Sequence, residues 1–205
     1  LARLMPVTAL CFLVGSLAIS AIPPLNGFVS EWFTYQGLIG AAMDGDIFMR
    51  ILFAFAVVAL AITGALAVTC FVKAFGVTFL ARPRSEAAEQ AREVPAPMKG
   101  AMVLLTVACV FLGLGAALVT PVVDSIAAAM LSVPPVPAVE GATLVSLDTA
   151  SVVSPLVLAV LMALVIAACA LVRNSANRAA GMKDDPQTWA CGYQADLTME
   201  TLAST

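Results

Sequence analysis

The chain has 205 residues, of which 61% are hydrophobic and 11% charged; ten Lys and Arg stand against 13 Asp and Glu, the formal charge is −3, and there is no histidine. A mean hydropathy of +1.01 lies well beyond that of an ordinary soluble domain and excludes a soluble enzyme. Several apolar runs reach the roughly 20 residues that a helix needs to cross lipid, and they lack the alternation of a transmembrane barrel. Because an open strand edge would leave amides unpaired in hydrocarbon, the predicted fold class is all-α: a polytopic transmembrane helical bundle of about four spans, the first a discontinuous helix.

The first apolar segment, residues 6–42, is too long for one straight span and is divided by Ile22-Pro23-Pro24-Leu25-Asn26-Gly27. Pro23 and Pro24 remove amides from the helical ladder and clash with the preceding turn, and Gly27 permits unusual backbone angles, so two half-helices broken at residues 22–27 are predicted. Leu1 in place of an initiator Met predicts a piece of something longer. Arg3, the apolar run after it and Ser20-Ala21 imitate a secretory signal, but the apolar pattern resumes straight after Pro24 and argues against cleavage.

Further spans are predicted over residues 50–81, ending at Arg82-Pro83-Arg84, over 100–120, stopping at Pro121, and over 152–172. Residues 85–99 form a solvated connection of mixed charge that includes Glu86, Glu89, Arg92 and Glu93. Residues 121–151 read as a weakly polar, Pro-rich stretch, with 126–131 a short interfacial helix. The membrane region thus covers residues 1–172, and a hydrophilic tail covers 173–205. Arg3, Arg82, Arg84, Arg92, Lys99, Arg173, Arg178 and Lys183 all fall on one side of this arrangement. That places the start and the tail in the cytoplasm, with Arg50 the one ambiguity.

Ionisable groups at membrane depth need an explanation, since each costs about 2.5 kcal/mol or more at a helix centre. Glu31 follows Gly27 by one helical turn, flanked by Phe28, Val29, Trp32 and Phe33. Burial favours its neutral form, whereas the positive end of the second half-helix favours the anion. Opposed influences suit a group that takes and releases a proton, and unwound backbone at this depth holds water or ions. The competing reading is a Pro-kinked helix whose neutral Glu31 bonds to a neighbour. Lys73 is the second candidate, either lining a hydrophilic path or snorkelling toward the interface near Arg82. Thr63 and Gly64 offer polar contact or close packing, or are ordinary membrane-helix residues.

Of five cysteines, Cys11, Cys70, Cys109 and Cys169 sit in apolar runs and read as buried small hydrophobes; only Cys191 lies in a polar segment. Without His, metal-ligand spacing or a phosphate-cradling glycine loop, no cofactor is expected on this chain.

Met5-Pro6-Val7-Thr8 leading into Ala18-Ile19-Ser20-Ala21-Ile22-Pro23-Pro24-Leu25-Asn26-Gly27-Phe28-Val29-Ser30-Glu31-Trp32 resembles the broken helix of antiporter-like, proton-translocating membrane subunits. These occur in respiratory complex I, in multisubunit cation/proton antiporters and in energy-converting hydrogenases. Cys70-Phe71-Val72-Lys73-Ala74-Phe75-Gly76, the Leu80-Ala81-Arg82-Pro83-Arg84-Ser85 stretch and Thr188-Trp189-Ala190-Cys191-Gly192-Tyr193 resemble the large antiporter-like subunit of formate hydrogenlyase and related hydrogenases. The last motif usually has Asp where this chain has Ala190.

The resemblance implies a C-terminal piece of such a subunit in a bacterial inner membrane, with Glu31 as a terminal station of a proton path. It implies that the family's glutamate–lysine pair and another broken helix lie upstream. Iron–sulfur, nickel–iron or flavin groups would belong to partner subunits, membrane and peripheral, of a hydrogenase or complex I-like assembly. The expected ion is H⁺ or Na⁺, and no nucleic-acid partner is expected. Alternatives are an Na⁺/H⁺ antiporter subunit and a structural membrane subunit without proton transfer.

Overall fold

In a computed structural model, residues 1–81, 86–132, 134, 139–141, 143–146 and 151–179 are described, without side chains at 86, 87, 146 and 176–179. Helix α1 (Pro6–Ile19) begins with a proline at a position where the missing N–H has no intrahelical acceptor to lose. It ends in a tight closure. The Ile22 N–H donates to the Leu17 carbonyl at 3.1 Å and the Ala21 N–H to that of Ala18 at 3.2 Å, with Ala21 at φ 51. This is the Schellman pattern with alanine where glycine is usual, a strain of about 1–2 kcal/mol.

The closure stops α1 ahead of the prolines, so the interruption occupies residues 20–25 rather than the predicted 22–27. The Pro23–Pro24 peptide bond is cis. Asn26 and Gly27 already belong to the first turn of α2 (Asn26–Asp44), because the opening residues of a helix need no acceptor behind them.

Asp46 caps α3 (Ile47–Phe75) by accepting from the Met49 N–H at 3.0 Å, which starts that helix three residues before the predicted Arg50. Arg50 donates to the carbonyls of Gly45 at 3.0 Å and Met43 at 3.3 Å, filling acceptors left open at the end of α2. Helix α3 continues as a π-helical turn, Gly76–Leu80; the predicted stop at residues 82–84 lies outside the described residues. A short helix α4 (Glu86–Glu89) precedes α5 (Ala96–Leu114).

Pro121 does not end the third apolar run. After a bend at Gly115, helix α6 (Ala116–Leu131) runs straight through Pro121. The carbonyl that Pro121 leaves without its amide is that of Ala117, a loss that helices of membrane proteins tolerate; the Thr120 hydroxyl bonds one position earlier, to the Ala116 carbonyl at 2.8 Å. The short helix expected over 126–131 is the end of this longer one. The stretch read as irregular also forms a small antiparallel sheet, β1 (Val139–Glu140), β2 (Thr143–Ser146) and β3 (Ser151–Val153), in the order β1-β2-β3. Leu144 pairs with Val139 on one side and Val153 on the other. Helix α7 (Pro155–Ala179) extends seven residues past the predicted end at 172. The rest of the predicted tail, with the motif at 188–193, lies outside the described residues.

Three helical stretches, Ile47–Leu80, Ala96–Leu114 and Pro155–Ser175, are long and apolar enough to cross a membrane; the broken pair α1/α2 makes up the remaining apolar segment. Helix α2 packs against α3 and α5, and α1 against the same two. Large apolar side chains such as Phe55, Leu66, Val72 and Leu171 point outward, the inverse of a soluble core. Cys70 and Cys169 are exposed with them and Cys11 and Cys109 half-buried, so none of the four is fully buried as expected; Cys70 and Cys169 lie on outward apolar faces of α3 and α7.

One long-range contact pins the start of α1. Glu93, from the turn before α5, accepts the Val7 N–H at 2.9 Å and the Thr8 hydroxyl, serving as the cap that Met5 does not supply. The Thr8 hydroxyl bond above all, with the Val7, Val94 and Thr8 amides behind it, lowers the Glu93 carboxyl pKa from its ordinary 4.5, against a smaller opposing influence of burial. A depressed folded-state pKa means that this stabilisation is fully present above the unfolded value and is lost as pH falls through the folded one. Glu93→Gln is therefore expected to lower the thermal midpoint of the detergent-solubilised protein at neutral pH. The gap from wild type should close below pH 4.5; a gap independent of pH would contradict the ionised cap.

Candidate functional site

The first turns of α2 divide by face. At 100° per residue, Phe28, Val29, Trp32, Phe33 and Gln36 lie on one side, and Asn26, Gly27, Ser30 and Glu31 largely on the other. The first side supports the sheet: Val29, Trp32, Ala116 and the fully buried Leu144 form a cluster, with Phe28, Phe33, Val139 and Val153 packed against it. Ser151 donates to Gln36 Oε1 at 2.8 Å. With that face held, the other is turned toward α1 and α3.

There the structure opens a cavity of about 540 Å³. Glu31 lines it together with Asn26, Gly27 and Ser30 from α2, Gly15, Ala18, Ile19 and Ala21 from α1 and its closure, Leu60, Thr63, Gly64 and Ala67 from α3, and Cys109 from α5. Most of these residues are small, which is why the space exists between four packed segments. A methyl group on Gly64 would stand 3.4 Å from Glu31 Oε1, so the carboxyl lies directly against the α3 backbone. Tyr35 stands one turn farther along α2, on the same helical face as Glu31.

Two further features give the cavity polar character. No side chain caps the start of α2, so the amide-rich, electropositive end of that helix borders the space that Glu31 lines. Asn26 Oδ1 is buried with no hydrogen-bond partner among the described residues. The Ser30 and Thr63 hydroxyls, by contrast, donate to the carbonyls of Gly27 at 2.9 Å and Leu60 at 2.7 Å.

The interruption itself is seated by two glycines. A Cβ on Gly27 would fall 1.8 Å from the Ala18 carbonyl oxygen, and one on Gly113 of α5 would fall 2.2 Å from that of Pro24. Gly27 therefore serves the close approach of the two half-helices rather than an unusual backbone angle. Pro23 and Pro24 shape the loop from outside the cavity lining.

Glu31 and the break are thus brought together, and Thr63 and Gly64 join them. Lys73 does not. It lies exposed in the last turn of α3, about 13 Å along the helix from Gly64, beside Phe75, which stacks with Phe12 and Phe79. Reading the sequence alone missed Tyr35, Cys109, Gly113 and Glu93. Only Tyr35 left a trace, its spacing of four from Glu31 placing the two on one helical face.

Residues 1–63, which include the whole interruption, match the family model described as "NADH:quinone oxidoreductase/Mrp antiporter, TM". The chain is 42% identical over 194 residues to hydrogenase-4 component B of Escherichia coli, covering 94% of this chain and 29% of that protein. It is 35% identical over 195 residues to formate hydrogenlyase subunit 3 of Escherichia coli, covering 95% of this chain and 30% of that protein. An uncharacterized protein of Mycobacterium tuberculosis is 39% identical over 130 residues, 63% of this chain and 20% of its own length. The chain therefore spans just under a third of the length of the two Escherichia coli relatives. Residues 1–63 thus carry the similarity to the NADH:quinone oxidoreductase/Mrp antiporter family, and the two Escherichia coli relatives extend the likeness to multi-pass membrane proteins over nearly all of the remaining chain.

Proposed function

We propose that this chain is part of a proton-translocating, antiporter-like subunit of a membrane-bound oxidoreductase, in which Glu31 takes up and releases a proton while electron transfer proceeds on other subunits. The observation that carries the reading is the position of Glu31. Its carboxyl lines a roomy cavity against the interrupted helix, beside the uncapped start of α2. The hydrogenase-4 and formate hydrogenlyase relatives favour a hydrogenase-type assembly. Iron–sulfur, nickel–iron or flavin groups then belong to partner subunits, both membrane and peripheral. The setting is a bacterial inner membrane, with the start and tail of the chain on the cytoplasmic side.

Proton uptake into inverted membrane vesicles, driven by the assembly's own redox reaction, tests the role of Glu31 through Glu31→Gln. Transport that follows a sodium gradient without a redox partner would point to an exchanger instead. Normal coupling in the variant would leave a structural role. Lys73 is assigned a secondary station at the far end of α3, toward a neighbouring segment. Lys73→Met is expected to lower proton uptake by about tenfold, and so is Lys73→Arg, whose guanidinium does not release its proton at working pH. Unchanged uptake in Lys73→Met would reduce this lysine to a snorkelling side chain.

A further inference from the structure

We infer that Arg50 and the apolar trough beside it bind an anionic phospholipid, the guanidinium taking the phosphate and the trough one acyl chain. The two-residue turn Gly45-Asp46 sends α3 back along α2, so the two helices pack side by side. Along α3, Arg50, Ala54, Val57 and Val58 follow the spacing of one helical face, and Ile39 and Met43 do so on α2. Between these rows lies a trough of about 690 Å³ whose lining is apolar except for Arg50. From Arg50 to Val58 it runs about 12 Å along the helix axis, most of the depth of one leaflet of a hydrocarbon core about 30 Å thick. Arg50 stands in the first turn of the Ile47–Leu80 span, the level at which a charged side chain meets lipid headgroups.

The guanidinium is oriented but only partly used. Its Nε–H donates to the Gly45 carbonyl at 3.0 Å and its Nη2 to that of Met43 at 3.3 Å, which leaves the rest of the donor fork open among the described residues. Asp44 and Asp46 flank the turn, yet neither forms an ion pair with Arg50 among the described residues, and Asp46 Oδ1 already accepts the Met49 N–H. A phosphate accepts paired bonds from such a fork. A cation alone would suit any soluble anion, and an apolar trough alone any hydrocarbon. Side by side, they fit a molecule that joins a phosphate to a long acyl chain. A zwitterionic headgroup would bring its own cation toward Arg50, so the charge favours an anionic lipid.

The test uses the full-length protein in its assembly, held in phosphatidylcholine nanodiscs that contain a phosphatidylglycerol probe with a photoreactive diazirine in its acyl chain. Crosslinks are expected on residues 39–58, and replacing part of the phosphatidylcholine by unlabelled phosphatidylglycerol should abolish them. A matched phosphatidylcholine probe should give about tenfold fewer. Arg50→Gln, which keeps donors for the two carbonyls but carries no charge, should lower crosslinking by about tenfold, and Arg50→Lys should keep most of it. Ala54→Phe, which fills the trough and leaves Arg50 in place, should lower it as much as Arg50→Gln.

Equal crosslinking by the two probes, or crosslinking that Arg50→Gln leaves unchanged, marks ordinary boundary lipid and overturns the inference. So does displacement by soluble glycerol phosphate, which identifies a free anion as the ligand, or the absence of crosslinks on residues 39–58, as when another helix fills the trough. If a variant fails to assemble, the comparison of the two probes on the wild-type protein decides the question. None of these readouts depends on Glu31.

Discussion

Glu31→Gln is expected to cut redox-driven proton translocation by about a hundredfold or more, the range contributed by a positioned proton-transferring group. Glutamine has the same shape and fits the same place against Gly64, so packing around the cavity is retained. What it lacks is the ability to release a proton. Removing an ionisable group from membrane depth does not cost stability, because the charged form carries a penalty of about 2.5 kcal/mol or more there. The variant should assemble in wild-type amounts, and Glu31→Asp, with its carboxyl drawn back by one methylene, should fall between the two. Full translocation by intact Glu31→Gln assemblies would remove Glu31 from the path.

The second large effect concerns the seat of the interruption. Gly27→Ala places a methyl 1.8 Å from the Ala18 carbonyl oxygen, and Gly113→Ala places one 2.2 Å from the Pro24 oxygen and 2.6 Å from the Leu25 backbone. Alanine normally favours a helix over glycine by about 1 kcal/mol. Here the obstacles are backbone, which cannot swing aside as a side chain does, so the two half-helices or α5 must move apart. A loss of about 3 kcal/mol, at the upper end of overpacking effects, is expected for each, seen as a lower thermal midpoint and reduced membrane content. Gly37→Ala, also in α2 but with open space around it, is the control and should be neutral or slightly stabilising. Equal stability of Gly27→Ala and Gly37→Ala would show that the close approach is not required.

Much of the architecture follows from local patterns. The apolar runs that form α3, α5 and α7 are legible because lipid demands length and low charge. The interruption is legible because proline lacks an amide. Boundaries moved where a second influence acted: Asp46 advanced the start of α3, and the closure at Ala21 advanced the break. The reading of Pro121 as a stop failed because one proline, six residues into α6, removes a single amide from a helix that is otherwise complete. The sheet escaped notice because its strands, two to four residues long, are shorter than any periodicity can reveal. They persist by resting Leu144 on Val29 and Trp32.

By itself, the sequence determined that this protein lies in the membrane, that its first apolar segment is interrupted at Pro23-Pro24, and that an acid stands one turn beyond. Those are consequences of composition and of residue chemistry along the chain. Only the tertiary structure decided that Glu31 shares a cavity with Asn26 and Cys109, that Gly27 and Gly113 seat the interruption, and that Glu93 holds the start of α1. Each of these joins residues from separate segments, and such contacts depend on how helices pack rather than on the period of any one of them.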